Sequence, residues 1–158
     1  MGKLQHIQHQ ITAINHLIKI NNDRISGYEK FLLGTDGSEY FKIFEKHVQE
    51  SKKNIGDLIE LIQLLGGEPA TGTTLSGKFY HAWLDIKSKI KQPDDKSILS
   101  ICEQGEDIAN MAYRQGLDDK ELIWDDKKVL SVLSAHQKGI KTAHDKIKDL
   151  RDSLIVKS

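Results

Sequence analysis

The sequence predicts an all-α fold, an up-down four-helix bundle with one long crossover. Three observations carry this. Leu4, Ile11, Ile18, Ile25 and Leu32 recur every seven residues, and Ile7, Ile14, Asn21 and Tyr28 repeat the spacing three positions on. Such an a/d stripe is how a helix buries one seam against partner helices. Three further amphipathic stretches follow, each bounded by glycine or by aspartate-rich punctuation. Only two prolines and 6% aromatics occur, a composition that suits long uninterrupted helices.

The elements follow in order. The first helix is expected from about Lys3 to Leu33, with Gly34 at the position that turns left-handed to end a helix. Gly34-Thr35-Asp36-Gly37 is short enough to send the next helix back antiparallel. Ser38 serves as N-cap of the second, with Glu39 in its first turn. Its seam is Phe41, Phe44, Val48, Ile55, Leu58, Ile62 and Leu65, with Ser51 at one seam position, and Gly66-Gly67 closes it. Glu68 to Gly77 is irregular, and a short amphipathic helix, about Lys78 to Lys91, presents Phe79, Trp83, Ile86 and Ile90 on one face. Pro93-Asp94-Asp95 starts the third long helix, with Asp94 as N-cap. It carries Ile98, Ile101, Cys102, Gly105, Ile108, Met111 and Ala112 and is expected to stop near Gly116. Asp118-Asp119-Lys120-Glu121 resembles a capping box opening the last helix, which runs to about Val156. Its seam is Val129, Leu133, His136, Ile140, Ala143, Ile147, Leu150 and Leu154, and its Lys and Asp residues alternate as on a solvated face. One domain spans residues 1–158.

Composition narrows the function classes. Lys plus Arg and Asp plus Glu are both 23, a balance without the basic excess of nucleic-acid or membrane-surface binders. The single cysteine excludes an internal disulfide and fits a reducing, cytoplasmic setting. Met1 to His6 has no apolar h-region and no cleavage site, and no apolar run approaches membrane-spanning length, so neither a signal peptide nor a span is expected. The Gly- and Thr-rich loop after Gly67 lacks any phosphate-loop pattern. Glu103 beside Cys102 argues against a reactive thiol.

Each long helix turns polar near its middle: Asn21, Tyr28 and Glu29; Glu50 and Ser51; Glu103, Gly105 and Glu106; His136, with His144 two turns on. Polar groups facing a bundle interior need partners. They either hydrogen-bond to one another or hold a ligand. Di-iron bundles take a Glu from each of two helices and Glu-x-x-His from the other two. Glu-x-x-His is absent here; the nearest patterns are Glu103-x-x-Glu106 and the reversed His47-x-x-Glu50. A structural polar layer is the first expectation. A degenerate iron or manganese site built from Glu29, Glu50, Glu103, Glu106 and His144 is the second.

Several motifs carry a resemblance. Leu65-Gly66-Gly67-Glu68-Pro69, Ser76-Gly77 and Ala82-Trp83-Leu84-Asp85-Ile86-Lys87 are similar to the crossover of a bacterial ferritin-like family known as domain of unknown function 2383. Cys102-Glu103-Gln104-Gly105-Glu106-Asp107 looks like that family's Cys-Glu-Arg-Gly-Glu-Asp, with Gln for Arg. His144 to Asp152 looks like its closing His-Asp-x-Ile-x-x-Leu-Arg-Asp, and Asn22-Asp23 with Gly27-Tyr28-Glu29 resemble its first helix. The resemblance implies a ferritin-like bundle of bacterial origin and brings no catalytic residues with it. The expected function is a non-catalytic helical-bundle protein, a stress-associated binding or interaction module. The alternative is a ferritin-like di-metal protein. Self-association through Trp83 and Phe79 of the crossover helix is a further expectation.

Overall fold

Among the described residues the chain forms four helices: α1 (Lys3–Leu32), α2 (Glu39–Leu64), α3 (Asp95–Asp118) and α4 (Lys127–Lys157). This computed structural model describes residues 2–32, 39–74, 94–122 and 124–157, and no strand occurs among them. The expected turn at Gly34 to Gly37, the Ser38 cap, and the crossover helix with Phe79 and Trp83 lie outside the described residues. α1 packs chiefly on α2, and α3 on α4; α1 also lies along α3, while α2 meets α4 lightly. Asn21 meets Asn54 and Tyr28 meets His47, so rising positions on α1 face falling positions on α2. The same reversal relates α1 to α3 (Arg24 with Glu106, Asn21 with Tyr113) and α3 to α4 (Tyr113 with His136, Glu103 with Arg151). Neighbours in space therefore alternate up and down. This brings the polar middles of all four helices to comparable depth.

The helix ends follow local chemistry. Gly66 has φ +78°, a left-handed conformation that suits glycine. Gly67 N–H reaches the Ile62 carbonyl and Gly66 N–H the Gln63 carbonyl, both at 3.0 Å, the paired bonds of a Schellman close. Asp94 caps α3 by accepting from Ser97 N–H at 2.8 Å. α3 ends at Asp118, two residues past Gly116 and close to its expected stop. The Gly116 carbonyl finds a donor in the Trp124 indole at 2.9 Å, so the last turn needs no glycine terminator. Nor does Asp118–Glu121 open α4. Asp119 closes α3 through its backbone N–H on the Gln115 carbonyl, and its side chain accepts from Glu121 N–H in a local turn. α4 starts six residues later than that pattern's last residue, at Lys127, with Asp126 accepting from Lys128 N–H at 2.8 Å.

After α2 the chain is pinned along the outside of α1. Asn15 holds both the Glu68 carbonyl and the Ala70 N–H, Asn22 holds the Gly72 carbonyl, and Asp23 takes the Thr74 N–H and hydroxyl. Asn15, Asn22 and Asp23 share one face of α1, so the strap runs with that helix.

Two apolar clusters sit at opposite ends of the bundle. One is built around Ile14, Leu17, Ile18, Leu58, Ile62 and Leu133, the other around Tyr28, Phe31, Phe44, Leu99, Cys102 and Ile147. The α4 seam is as expected from Val129 to Ile147. Elsewhere the buried stripe is wider than a two-column heptad. α1 also buries Gln10, Leu17, Arg24 and Phe31, α2 buries Tyr40, His47, Asn54 and Leu61, and α3 buries Leu99, Glu106 and Tyr113. Each set is spaced by seven, a third column between neighbouring helices. Because 3.6 residues per turn drifts by about 20° per heptad, the expected a-column walks outward at its ends. Leu4 is 84% exposed, and Met111, expected in the α3 seam, is 59% exposed.

Candidate functional site

The two apolar clusters are separated by a polar layer drawn from the third columns (Arg24, His47, Asn54, Glu106, Tyr113) and from the a and d seams (Asn21, Tyr28, His136). Arg24 reaches across from α1 to α3 and grips Glu106 with two hydrogen bonds, Nε to Oε1 at 2.8 Å and Nη2 to Oε2 at 3.0 Å. The pair is 2% and 0% exposed. Tyr28 donates its hydroxyl to the same Glu106 Oε1 at 3.0 Å. Burial works against the Arg24 charge, but Glu106 more than restores it and raises the guanidinium pKa. Arg24 is thus a permanent buried cation. Burial, then Glu106, pushes the Tyr28 phenol well above its ordinary value, and the same two causes do so for the Cys102 thiol. Glu106, rather than the adjacent Glu103, is the carboxylate that holds this thiol protonated.

A hydrogen-bond chain leads outward from the same layer. Asn54 donates to Asn21 at 3.1 Å, and Asn21 donates to the Tyr113 hydroxyl at 2.9 Å. Tyr113 in turn meets His136 Nδ1 at 2.9 Å, and His136 Nε2 meets Asp57 at 2.9 Å. Since Asn21 can only donate from Nδ2, the Tyr113 proton points at His136, which fixes the imidazole as the Nε2–H tautomer. Burial lowers the His136 pKa against the pull of Asp57. Burial raises Asp57, but hydrogen bonds from His136 and Lys53 outweigh it and hold the carboxylate below its usual range. His47 lies edge-on to Tyr28, and burial with Arg24 nearby lowers its pKa to about 3. Among the described residues its Nδ1 has no hydrogen-bond partner, and neither has Arg24 Nη1.

The five candidate ligands from the sequence occupy different surroundings. Glu29 is exposed on α1 and Glu50 half-buried on α2. Glu106 faces the interior and is held by Arg24 and Tyr28. Glu103 and His144 do come together, on the outer side of α3 and α4, joined by Asp107. Their donor atoms lie within 4.8 Å of one another, the one such group among the described residues, and this arrangement allows a metal ion. His144 Nε2 is 2.8 Å from Asp107 and 3.5 Å from Glu103, its Nδ1 is 3.0 Å from Asp145, and Arg151 pairs with Glu103. Arg24, His47, Asn54, Asp57 and Tyr113 were not among the expected site residues. Their seven-residue spacing with Leu17, Tyr40, Leu61 and Leu99 is the signal for four of them; Asp57 carries none.

A di-metal centre of the bundle type needs four carboxylates and two histidines converging inside. The interior layer here does not fit one. Among the described residues its fully buried carboxylate is Glu106, whose oxygens are taken by a guanidinium and a phenol. His136 has both nitrogens engaged. Among the described residues no helix is long and apolar enough to cross a membrane.

No curated protein matches the chain. Among solved structures it is similar to one described as "ferritin like, diiron-carboxylate proteins from Bacillus anthracis str. Ames", with a TM-score of 0.69, 16% identity, and coverage of 96% of this chain and 99% of that chain. At that identity the likeness establishes the ferritin-like fold alone. A family model, Domain of unknown function (DUF2383), matches residues 9–119, which takes in the α1–α2 hairpin, the crossover and α3. With most of the chain inside that match, this ferritin-like four-helix protein belongs to the DUF2383 family.

Proposed function

We propose that this protein is a non-catalytic binding or interaction module, built on a ferritin-like bundle whose interior charge is balanced by a side chain in place of metal ions. The observation that supports this is the Arg24–Glu106 pair, two hydrogen bonds inside a layer with no exposed member of the pair. A bound cation there would have to displace a guanidinium that is itself an inseparable part of α1. The test is elemental analysis of protein made in iron- and manganese-supplemented medium, with oxygen uptake measured on adding ferrous iron. The expected result is metal well below about one ion per chain and uptake equal to buffer. One or more tightly held ions, lost on Glu106→Gln, would overturn it.

A second reading, a metalloprotein with a degenerate carboxylate and histidine site for iron or manganese, draws on the Glu103–Asp107–His144 cluster. It requires metal that survives Glu106→Gln and is lost on His144→Ala. The two substitutions therefore separate an interior centre from a surface one.

A further inference from the structure

Between α1 and α3, on the flank of the polar layer, lies a cavity of about 290 Å³. That is roughly twice the roughly 150 Å³ apolar cavity known to take up benzene. Its buried wall is Ile20, Arg24, Gly105, Ala109 and Ala112, mostly small or apolar. Arg24 is 2% exposed, and its Nη1 has no hydrogen-bond partner among the described residues. An unsatisfied buried donor costs stability that a ligand's acceptor would recover.

The charge of the wall chooses the ligand. Arg24 is already matched by Glu106, and Asp23 stands on the same wall, both its oxygens bonded to Thr74. An anion entering beside Arg24 would meet Asp23 and an already neutralised guanidinium. A cation would find no free carboxylate, since Thr74 already takes both Asp23 oxygens. What remains is an uncharged, mainly apolar molecule with one accepting oxygen. We propose that this cavity binds a small neutral carbonyl compound, its apolar body against Ile20, Ala109 and Ala112 and its oxygen accepting from Arg24. This deepens the binding-module reading and can fail without it, since metal content tests that reading and ligand titration tests this one.

The experiment is a ¹H–¹⁵N NMR titration of the full chain with three probes: acetophenone, toluene and benzoate. Acetophenone is expected to bind in the roughly millimolar range, as befits a ligand of its size. It should shift amides of Ile20 to Arg24 and Gly105 to Ala112. Toluene lacks the acceptor and benzoate adds a charge; both are expected to bind at least about fivefold more weakly, the ratio one net hydrogen bond supplies. Met111 lies on the rim at 59% exposure, so Met111→Trp can narrow the mouth without entering the core. It should weaken acetophenone binding while leaving the unfolding midpoint within error. Toluene equal to acetophenone would mean a merely greasy hollow, and tighter benzoate would mean an anion site. Absence of localised shifts near the ketone's solubility limit would mean no site. Each of these results overturns the proposal.

Discussion

Removing the guanidinium from the interior exposes what holds it there. In Arg24→Met, Glu106, 0% exposed in the wild type, loses both charge-assisted bonds and keeps only the Tyr28 hydroxyl. Each such bond is worth about 1.5–3 kcal/mol, and breaking a buried pair typically costs about 3–5 kcal/mol, so the two routes agree on a loss of about 4 kcal/mol. For a chain of this size that lowers the melting temperature by roughly 10 °C. The companion double variant Arg24→Met/Glu106→Leu removes both charges and fills the space with apolar atoms. It is expected within about 2 kcal/mol of wild type. The assay is urea unfolding followed by far-ultraviolet circular dichroism on wild type, both single variants and the double. A single Arg24→Met loss below about 1 kcal/mol, or a double variant equal to the sum of the singles, would refute the pairing as described.

Acid should find His47. Its folded pKa is lowered to about 3 against an ordinary value of 6.5, so between these values the unfolded chain takes up a proton that the folded chain refuses. Its contribution is present above pH 6.5 and declines as pH falls: from pH 7 to pH 5 wild type should lose about 2 kcal/mol more in urea unfolding than His47→Leu. At the start of α4, Asp126→Ala is expected to cost about 1 kcal/mol and Asp118→Ala close to nothing, which thermal melts can distinguish. A Cβ on Gly67 would meet Ile11 Cγ2 and Cδ1 at 2.9 Å, and Ile11 is buried in the core. Gly67→Ala should therefore cost about 1–3 kcal/mol by the same assay.

The fold is legible because heptads are plain in the sequence: each long helix among the described residues matches an expected one, and α4's seam from Val129 to Ile147 is buried residue by residue as expected. The centre was legible only in outline. Asn21, Tyr28, Ser51 and His136 sit at a and d positions, where a polar residue interrupts an apolar series and is noticed. Arg24, Asn54 and Tyr113 occupy the third column, where charged and polar residues are ordinary on a two-faced helix and raise no alarm. Glu103 and Glu106 illustrate the limit. One turn apart, they were read as a pair, yet Glu103 faces Arg151 and His144 outside while Glu106 faces Arg24 inside. Third-column burial depends on how closely the neighbours approach, and that is a tertiary quantity. Asp118–Glu121 differs for another reason: an aspartate ends a helix as readily as it starts one when its side chain accepts a backbone N–H from the turn that follows.

The two hairpins are joined unequally. On one flank Arg24, Asn21 and Tyr28 interlock with Glu106 and Tyr113; on the other, α2 and α4 touch lightly and His136 with Asp57 bridges them. Breathing of the bundle therefore hinges at the first flank and gapes at the second. Solvent should reach the imidazole of His136 before it wets Glu106, and amide exchange along α2 and α4 should outpace that along the middle of α1.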